Sequence, residues 1–257
     1  MDDHTVVGRA VAILDCVASA AGPLPLAALT KRTGIPKPTA RRIANDLAER
    51  GMLELTSDGY LAGSRLINQG LVSAHHRGSG LSAQPYLQDL HLQTRGELAW
   101  FATLDRGDLV ITATAFGRSH TAAVRNNLPP SLSVLGSSMV VMAAGRLHVA
   151  HQPELADRIL SRGWAPLTRY SVTDRQRLRN LLREAHDTGL AHESEQTMLG
   201  WTCLGAALRD SAGRLMGAMG VSGRGHNIDT RGVRSALVRS AESLATELLP
   251  RSEPSSA

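Results

Sequence analysis

Residues 34–53 read GIPKPTARRIANDLAERGML, and several of their polar groups are of the kinds that read nucleic acid. Advancing about 100° per residue along a helix puts Ala40, Ile43, Ala44 and Leu47 on one face. Pro38, Arg41, Arg42, Asn45 and Glu49 fall on the other. Arginine takes guanine edges or phosphate, and asparagine can pair with adenine. Pro38 costs nothing in a first turn, where its missing N–H would lack an intrahelical partner anyway. Thr39 and the free amides beside it can face a phosphate at the positive helix end. Lys37, Arg41 and Arg42 precede Asp46 and Glu49, an order the helix dipole alone disfavours. A polyanion at that end removes the objection. The plainer alternative is a solvated polar face.

Other reactive residue types carry weaker signals. Cys203 could be a nucleophile or a redox sensor, but nothing local lowers its pKa, which leaves pocket lining or packing. Ser222 lies in GVSGRG, not in the GxSxG elbow that hydrolases use. His148 and His151 are spaced i, i+3, and His192 is followed by Glu193 and Glu195. Helical histidine pairs can hold zinc, yet a chain with 10 histidines produces such spacings by accident. The glycines 217, 220, 223 and 225 form no phosphate cradle. No catalytic residue, metal site or cofactor is expected. Trp201 either stacks on a ligand or belongs to the core.

The elements that must position these groups follow from pattern. GRAVAILDCVASA (8–20) has helical apolar spacing, Leu26 to Arg32 reads as a second helix, and Thr33 to Pro36 as a turn. A third helix spans about Pro38 to Arg50 and is closed by Gly51. MLEL and YLAG flank Thr56-Ser57-Asp58-Gly59, where Asp-Gly signals a hairpin. Three helices and a hairpin in about 60 residues is the winged helix-turn-helix order, with the wing around Asp58 and Gly59 placed to meet the DNA backbone. A linking helix follows over 64–77, and Gly78-Ser79-Gly80 is the linker candidate. Beyond it come a helix near 82–95, strands over 98–104 and 108–116, and helices near 137–147, 153–162 and 174–188. A second strand pair, 201–208 and 215–223, precedes a last helix over 230–249. This order predicts an antiparallel sheet with helices packed on it, an α+β class. The resulting division is 1–63 DNA-binding, 64–80 linking helix, 81–250 effector-binding and oligomerisation, and 251–257 a disordered tail.

Composition agrees with a folded chain. It has 257 residues, 42% of them hydrophobic and 20% charged, with a net charge of +5, which permits a nucleic-acid partner without demanding one. Two distant cysteines exclude a disulfide framework and suit a reducing compartment. No signal pattern and no long apolar window occurs, so a cytoplasmic protein without membrane contact is expected.

The sequence resembles the IclR family of bacterial transcription regulators. The likeness rests on GRAVAILDCVASA, LAALTKRTGIPKPTARRIANDLAERGML, YLAGSRL, AQPYLQDLHLQTRGELAWFATLDRGDLVI, VLGSSMVVMAA and HESEQTMLGWTCLGAALRDSAGRLMGAMGVSG. It covers roughly residues 6 to 250. The resemblance implies a winged-helix domain, a linker helix and a ligand-binding domain with a GAF-like sheet. It also implies a homodimer or tetramer on a palindromic operator, a small organic or aromatic acid as effector, and repression more often than activation. Thr39, Arg41 and Arg42 match recognition-helix positions. Gly136 matches the glycine of a Gly-Lys-Ala segment in which Ser137 and Ser138 replace the other two. Cys203 and Ser222 match positions lining the effector pocket, Glu193 falls near an acidic one, and Gly220 stands where a hydroxyl often occurs. The rival reading is a winged helix fused to an enzyme of small-metabolite chemistry, which would need a convergent acid, base or nucleophile within 81–250.

Overall fold

The computed structural model describes residues 5–20, 22–77, 79–127, 132–224, 228 and 230–248. The tail 251–257, Gly78 and Gly225 lie outside these. The chain divides into two compact units, residues 1–77 and 78–257.

The first unit holds α1 (Val6–Ala18), α2 (Leu26–Thr33), α3 (Lys37–Glu49), strands β1 (Leu53–Thr56) and β2 (Gly59–Ala62), and α4 (Ser64–Arg77). Local chemistry sets each boundary. The Thr5 hydroxyl accepts from the Gly8 amide at 3.0 Å and caps α1. Gly34 closes α2, and Gly51 follows α3, both at positive φ. Ile13, Val17, Leu29, Ala40, Ile43, Ala44, Leu53 and Tyr60 share one core. The hairpin is antiparallel, with Thr56 opposite Gly59.

The second unit runs α5 (Ser79–Gln93), β3 (Leu98–Asp105), β4 (Asp108–Ala115), a 3₁₀ turn (Arg118–His120) and α6 (Thr121–Asn127). A longer 3₁₀ stretch (Leu132–Val141) follows, then α7 (Ala143–Ala150), α8 (Pro153–Arg162) and α9 (Arg175–Thr188). The chain ends in β5 (Leu190–Ser194), β6 (Trp201–Arg209), β7 (Leu215–Arg224) and α10 (Arg231–Leu248). The five strands form one antiparallel sheet in the order β4-β3-β7-β6-β5. On one face α5 and α10 bring Leu87, Leu90, Leu237 and Leu244 against Phe101, Leu204, Met219 and Val221. On the other, the 3₁₀ stretch and α7 to α9 bring Val140, Leu147, Leu178 and Leu182 against Trp100, Ala102 and Ala218.

Three expectations are revised. Ser79 and Gly80 are helical, because α5 begins at Ser79 and the Gly80 backbone lies close to the Thr112 carbonyl. The helix expected over 137–147 is broken in two. Gly136, at φ 53° and ψ −136°, bends the 3₁₀ stretch, and Met142 is extended before α7 starts. A side chain at Gly136 would be strained there, since that corner of backbone space is open to glycine alone. An unexpected edge strand, β5, extends the expected antiparallel sheet, in which the two strand pairs join through β3 and β7.

Candidate functional site

In the first unit, α3 presents what its pattern promised. Ala40, Ile43 and Ala44 are buried, whereas Lys37, Pro38, Arg41 and Arg42 are exposed and Thr39 is half-buried. Neither arginine of the pair is engaged in a hydrogen bond or an ion pair among the described residues. The acidic end is self-contained: Asp46 and Arg50 pair at 3.1 Å across one turn. Pro36 caps α3 without a side-chain acceptor, so the amides of Lys37 and Thr39 have no cap to satisfy them.

The remaining three positions differ from this pattern. Asn45 is half-buried, and its carboxamide oxygen accepts from the Tyr60 hydroxyl at 2.7 Å. That bond ties α3 to β2, and a bidentate pairing with adenine would require giving it up. Asp58 is exposed at the hairpin tip, with its amide on the Thr56 hydroxyl; its carboxylate would repel a phosphate, and only its backbone side suits one. Gly59 faces inward, and an added Cβ would stand 2.4 Å from the Leu24 backbone. It lets the hairpin close on residues 24–25, where Leu24 and Tyr60 exchange both backbone bonds.

In the second unit the register assembles a row that sequence spacing could not show. Glu193 lies opposite Cys203, Cys203 opposite Ser222, and Ser222 opposite Leu98. Directly opposed residues of an antiparallel pair share a face, here the one under α7. The next row on that face is Ala191, Gly205, Gly220 and Trp100. Small residues therefore dominate the floor. Cys203 and Ser222 stay half-buried although α7 to α9 cover this face.

The electrostatics of this face are unusual. Glu193 is only 3% exposed; burial raises its pKa, opposed by the Gln196 amide, which donates to Oε2 at 2.8 Å, and by the charge of Arg146. Arg146 on α7 is 1% exposed, and desolvation lowers its pKa to about 10 against the pull of Glu193. Its guanidinium donates to the carbonyls of Val140 at 2.9 Å and His192 at 2.7 Å, and to Gln196 Oε1 at 2.6 Å. Gln196 Oε1 also accepts from the Val172 amide, so one arginine joins α7, the 3₁₀ stretch, β5 and the segment before α9. Burial, then the Glu193 carboxylate, push the Cys203 thiol up to about 12, which removes it as a nucleophile or redox sensor at neutral pH. Ser222 is held between two partners. Its oxygen accepts from Trp100 Nε1 at 3.1 Å, and its hydroxyl donates to Cys203 Sγ at 3.1 Å. Among the described residues its hydrogen-bond partners are Trp100 and Cys203, neither of them a base.

The other expected pocket residues scatter around this row. Ser138 is buried and donates to the Ala165 carbonyl at 2.9 Å, while Ser137 is half-buried and Gly136 exposed. Trp201 is buried, edge-on to His120 at 5.5 Å between ring centroids, and His120 in turn meets Glu97 at 2.9 Å. Trp201 thus belongs to a packed cluster. Among the described residues His148 and His151 belong to no group of three or more His, Cys, Asp or Glu placed to hold a metal ion. Trp100, Arg146 and Gln196 escaped the sequence reading. The signal for Trp100 was present as one bulky residue in a strand whose partners are glycine-rich; for Arg146 and Gln196 there was none.

Among the described residues no single helix is long and apolar enough to cross a membrane. Comparison with known proteins matches residues 6–57 to the IclR helix-turn-helix domain and residues 75–248 to the C-terminal domain of bacterial IclR transcriptional regulators. The transcriptional regulator BhcR of Paracoccus denitrificans is 28% identical over 254 residues, covering 95% of this chain and 88% of that protein. The repressor AllR of Escherichia coli is 24% identical, covering 84% and 78% respectively. Among solved structures, an IclR homolog from Microbacterium hydrocarbonoxydans complexed with 4-hydroxybenzoate superposes with a TM-score of 0.78 at 22% identity, covering 95% of this chain and 99% of that one. An IclR regulator from Alicyclobacillus acidocaldarius gives 0.78 at 19% identity, over 94% and 97%. With both domain families matched in order along one chain and the fold shared throughout, the protein belongs to the IclR family of bacterial transcriptional regulators, with a DNA-binding helix-turn-helix domain at its N-terminal end.

Proposed function

We propose that the protein is an effector-controlled regulator, acting as a homodimer or tetramer on a palindromic operator, whose ligand is a small organic or aromatic acid. The half-burial of Cys203 and Ser222 within an otherwise covered sheet face carries this reading. It supplies room and two polar groups where the rest of the floor is apolar, the combination expected of a small-molecule site. Glu193 beside Cys203 argues against a ligand carboxylate at that end of the row, so the acid group is assigned to Ser137 and the backbone next to Gly136. The relative bound to 4-hydroxybenzoate supports an aromatic acid as the first probe.

On the DNA side, Arg41 and Arg42 read base edges or phosphate, and Lys37 and Thr39 hold the backbone. In a dimer the two α3 helices would enter successive major grooves about 34 Å apart. The effector acts by binding DNA-competent and DNA-released states with different affinity, since equal affinity shifts nothing. Repression is the expected sense, as for AllR.

The test is a thermal melt against a panel of organic and aromatic acids led by 4-hydroxybenzoate, followed by retention on promoter DNA. A ligand at 100 times its Kd stabilises the folded state by roughly 2.7 kcal/mol and changes retention. A panel that moves neither quantity would remove the effector half of the proposal.

A further inference from the structure

The second row of the sheet face combines one very large residue with two that have no side chain. Trp100 on β3 stands opposite Gly220 on β7, which stands opposite Gly205 on β6. A Cβ added at Gly220 would lie 2.3 Å from Trp100 Cζ2, a distance no packing adjustment absorbs. One added at Gly205 would meet Trp100 Cη2 at 3.4 Å, Leu147 Cδ1 at 3.2 Å and Ala143 Cβ at 3.5 Å. The indole therefore lies across both glycines, in a notch floored by β7 and β6 and roofed by α7. Only 3% of Trp100 is exposed, so it fills that notch. The notch adjoins the half-buried Ser222–Cys203 pair, because the Trp100 N–H donates to the Ser222 oxygen.

We propose that Trp100 is the specificity-determining residue of the effector face: its indole occupies a bicycle-sized extension of the ligand space and limits the effector to one ring or less. This rests on the effector reading of the Ser222–Cys203 row. Two consequences follow from the geometry. The filled notch denies volume to any ligand larger than the space over Cys203 and Ser222. The indole N–H also takes the acceptor side of Ser222 and leaves its hydrogen on a thiol, a weak acceptor. Ser222 therefore faces the ligand as a donor, suited to a carbonyl, phenolate or carboxylate oxygen. A shortened residue 100 leaves a notch lined by Leu147, Ala143 and the glycine backbones. An apolar cavity of this kind stays dry and takes an aromatic guest.

The experiment compares the full-length protein with Trp100→Ala and Trp100→Phe, using indole and benzoate as probes in thermal melts and calorimetry. Indole is expected to raise the melting temperature of Trp100→Ala and bind it at least about tenfold more tightly than the unaltered protein. Benzoate, which does not need the notch, should discriminate far less between them. Trp100→Phe keeps most of the packing while losing the N–H, so it should show little gain for indole. A merely structural tryptophan would leave a cavity that takes indole without any effect of indole on the DNA retention of Trp100→Ala, while benzoate still changes retention by the unaltered protein, and that result overturns the proposal. So does indole binding equally well to the unaltered protein. Should Trp100→Ala not fold, Trp100→Leu, which leaves a smaller notch, is tested with phenol under the same criterion. If indole fills Trp100→Ala but no probe alters DNA retention in any variant, the notch stands and the effector reading falls. If indole fails while an acid still shifts the unaltered protein, the reverse holds.

Discussion

Two arginine-bearing helices show opposite uses of the same side chain. On α3, Arg41 and Arg42 are exposed and unengaged among the described residues. On α7, Arg146 is 1% exposed and directs its donors to Val140, His192 and Gln196. A guanidinium has five donors in a rigid fork and no neutral form at ordinary pH. Left outside, it waits for a polyanion; taken inside, it must find an acceptor for each donor or cost several kcal/mol. The first unit therefore carries its charge where a partner supplies the compensation. The second supplies it internally and ties α7 to the 3₁₀ stretch and β5.

Breaking the inner arginine should have the largest effect. Arg146→Met keeps length and apolar volume but leaves the carbonyls of Val140, Val141 and His192, and Gln196, without their donor, and Glu193 without its compensating charge. A loss of about 3 kcal/mol is expected, read as a lower urea midpoint. An unmoved midpoint would show that water or neighbouring groups replace the guanidinium. Breaking the outer pair should do the reverse. Arg41→Ala with Arg42→Ala should leave the midpoint within about 0.5 kcal/mol while weakening DNA retention at moderate salt. The slope of log affinity against log salt should fall by roughly 1 for each phosphate that the variant no longer neutralises. Equal retention by the double variant would mean that α3 does not enter the groove.

The same contrast explains what could be read in advance. The first unit is built from local signals: Thr5 as a cap, glycine after α2 and α3, Asp-Gly at the hairpin, and an apolar stripe through Ala40, Ile43 and Leu47. Each acts over a few residues, so its consequence is visible in a string. The sheet face under α7 is built from register. Glu193, Cys203, Ser222 and Leu98 meet only because three strand pairings align them, and a slip of one residue would send each to the opposite face. Strand β5 escapes pattern reading because LAHES is short, polar and at the sheet edge. The 138–149 segment is apolar on all sides, so periodicity could not mark the break at Met142. Arg146 stands in GRLHVA with no neighbour in sequence that announces Gln196, fifty residues away. The resemblance singled out Cys203 and Ser222, and strand register places the two opposite each other.

A smaller change sharpens the outer site. Tyr60→Phe deletes the hydroxyl that donates to Asn45 and should cost about 1 kcal/mol of stability. It also frees the Asn45 carboxamide. If Asn45 only braces α3 against β2, the variant loses DNA retention across all sequences alike. If freed Asn45 reaches bases, preference shifts toward sites with adenine under α3. Comparing retention on paired operators that differ at one A·T step separates the two outcomes.

The smallest expected effect concerns protons, and it belongs to the interior unit. Burial lowers the pKa of His148 and of His151 below the ordinary 6.5. For His148, Asp108 opposes the shift and His151 adds to it. For His151, a bond to the Leu147 carbonyl opposes it, and Arg209 and His186 add to it. In both cases the folded state holds fewer protons than the unfolded one, so stability is full above 6.5 and declines as pH falls below it. Glu193 has the opposite sign. Its raised pKa means that the folded state keeps a proton the unfolded chain has lost, so its ionisation removes stability as pH rises above 4.5. The two trends meet in mildly acidic solution. Urea midpoints measured from pH 7.5 to 5.5 should fall, and His148→Asn with His151→Asn should flatten that fall. Glu193→Gln should instead remove a gain on acidification toward 4.5, read by extending the series of midpoints to that pH. Arg41→Ala with Arg42→Ala should leave the profile unchanged, because neither arginine is engaged with another described residue.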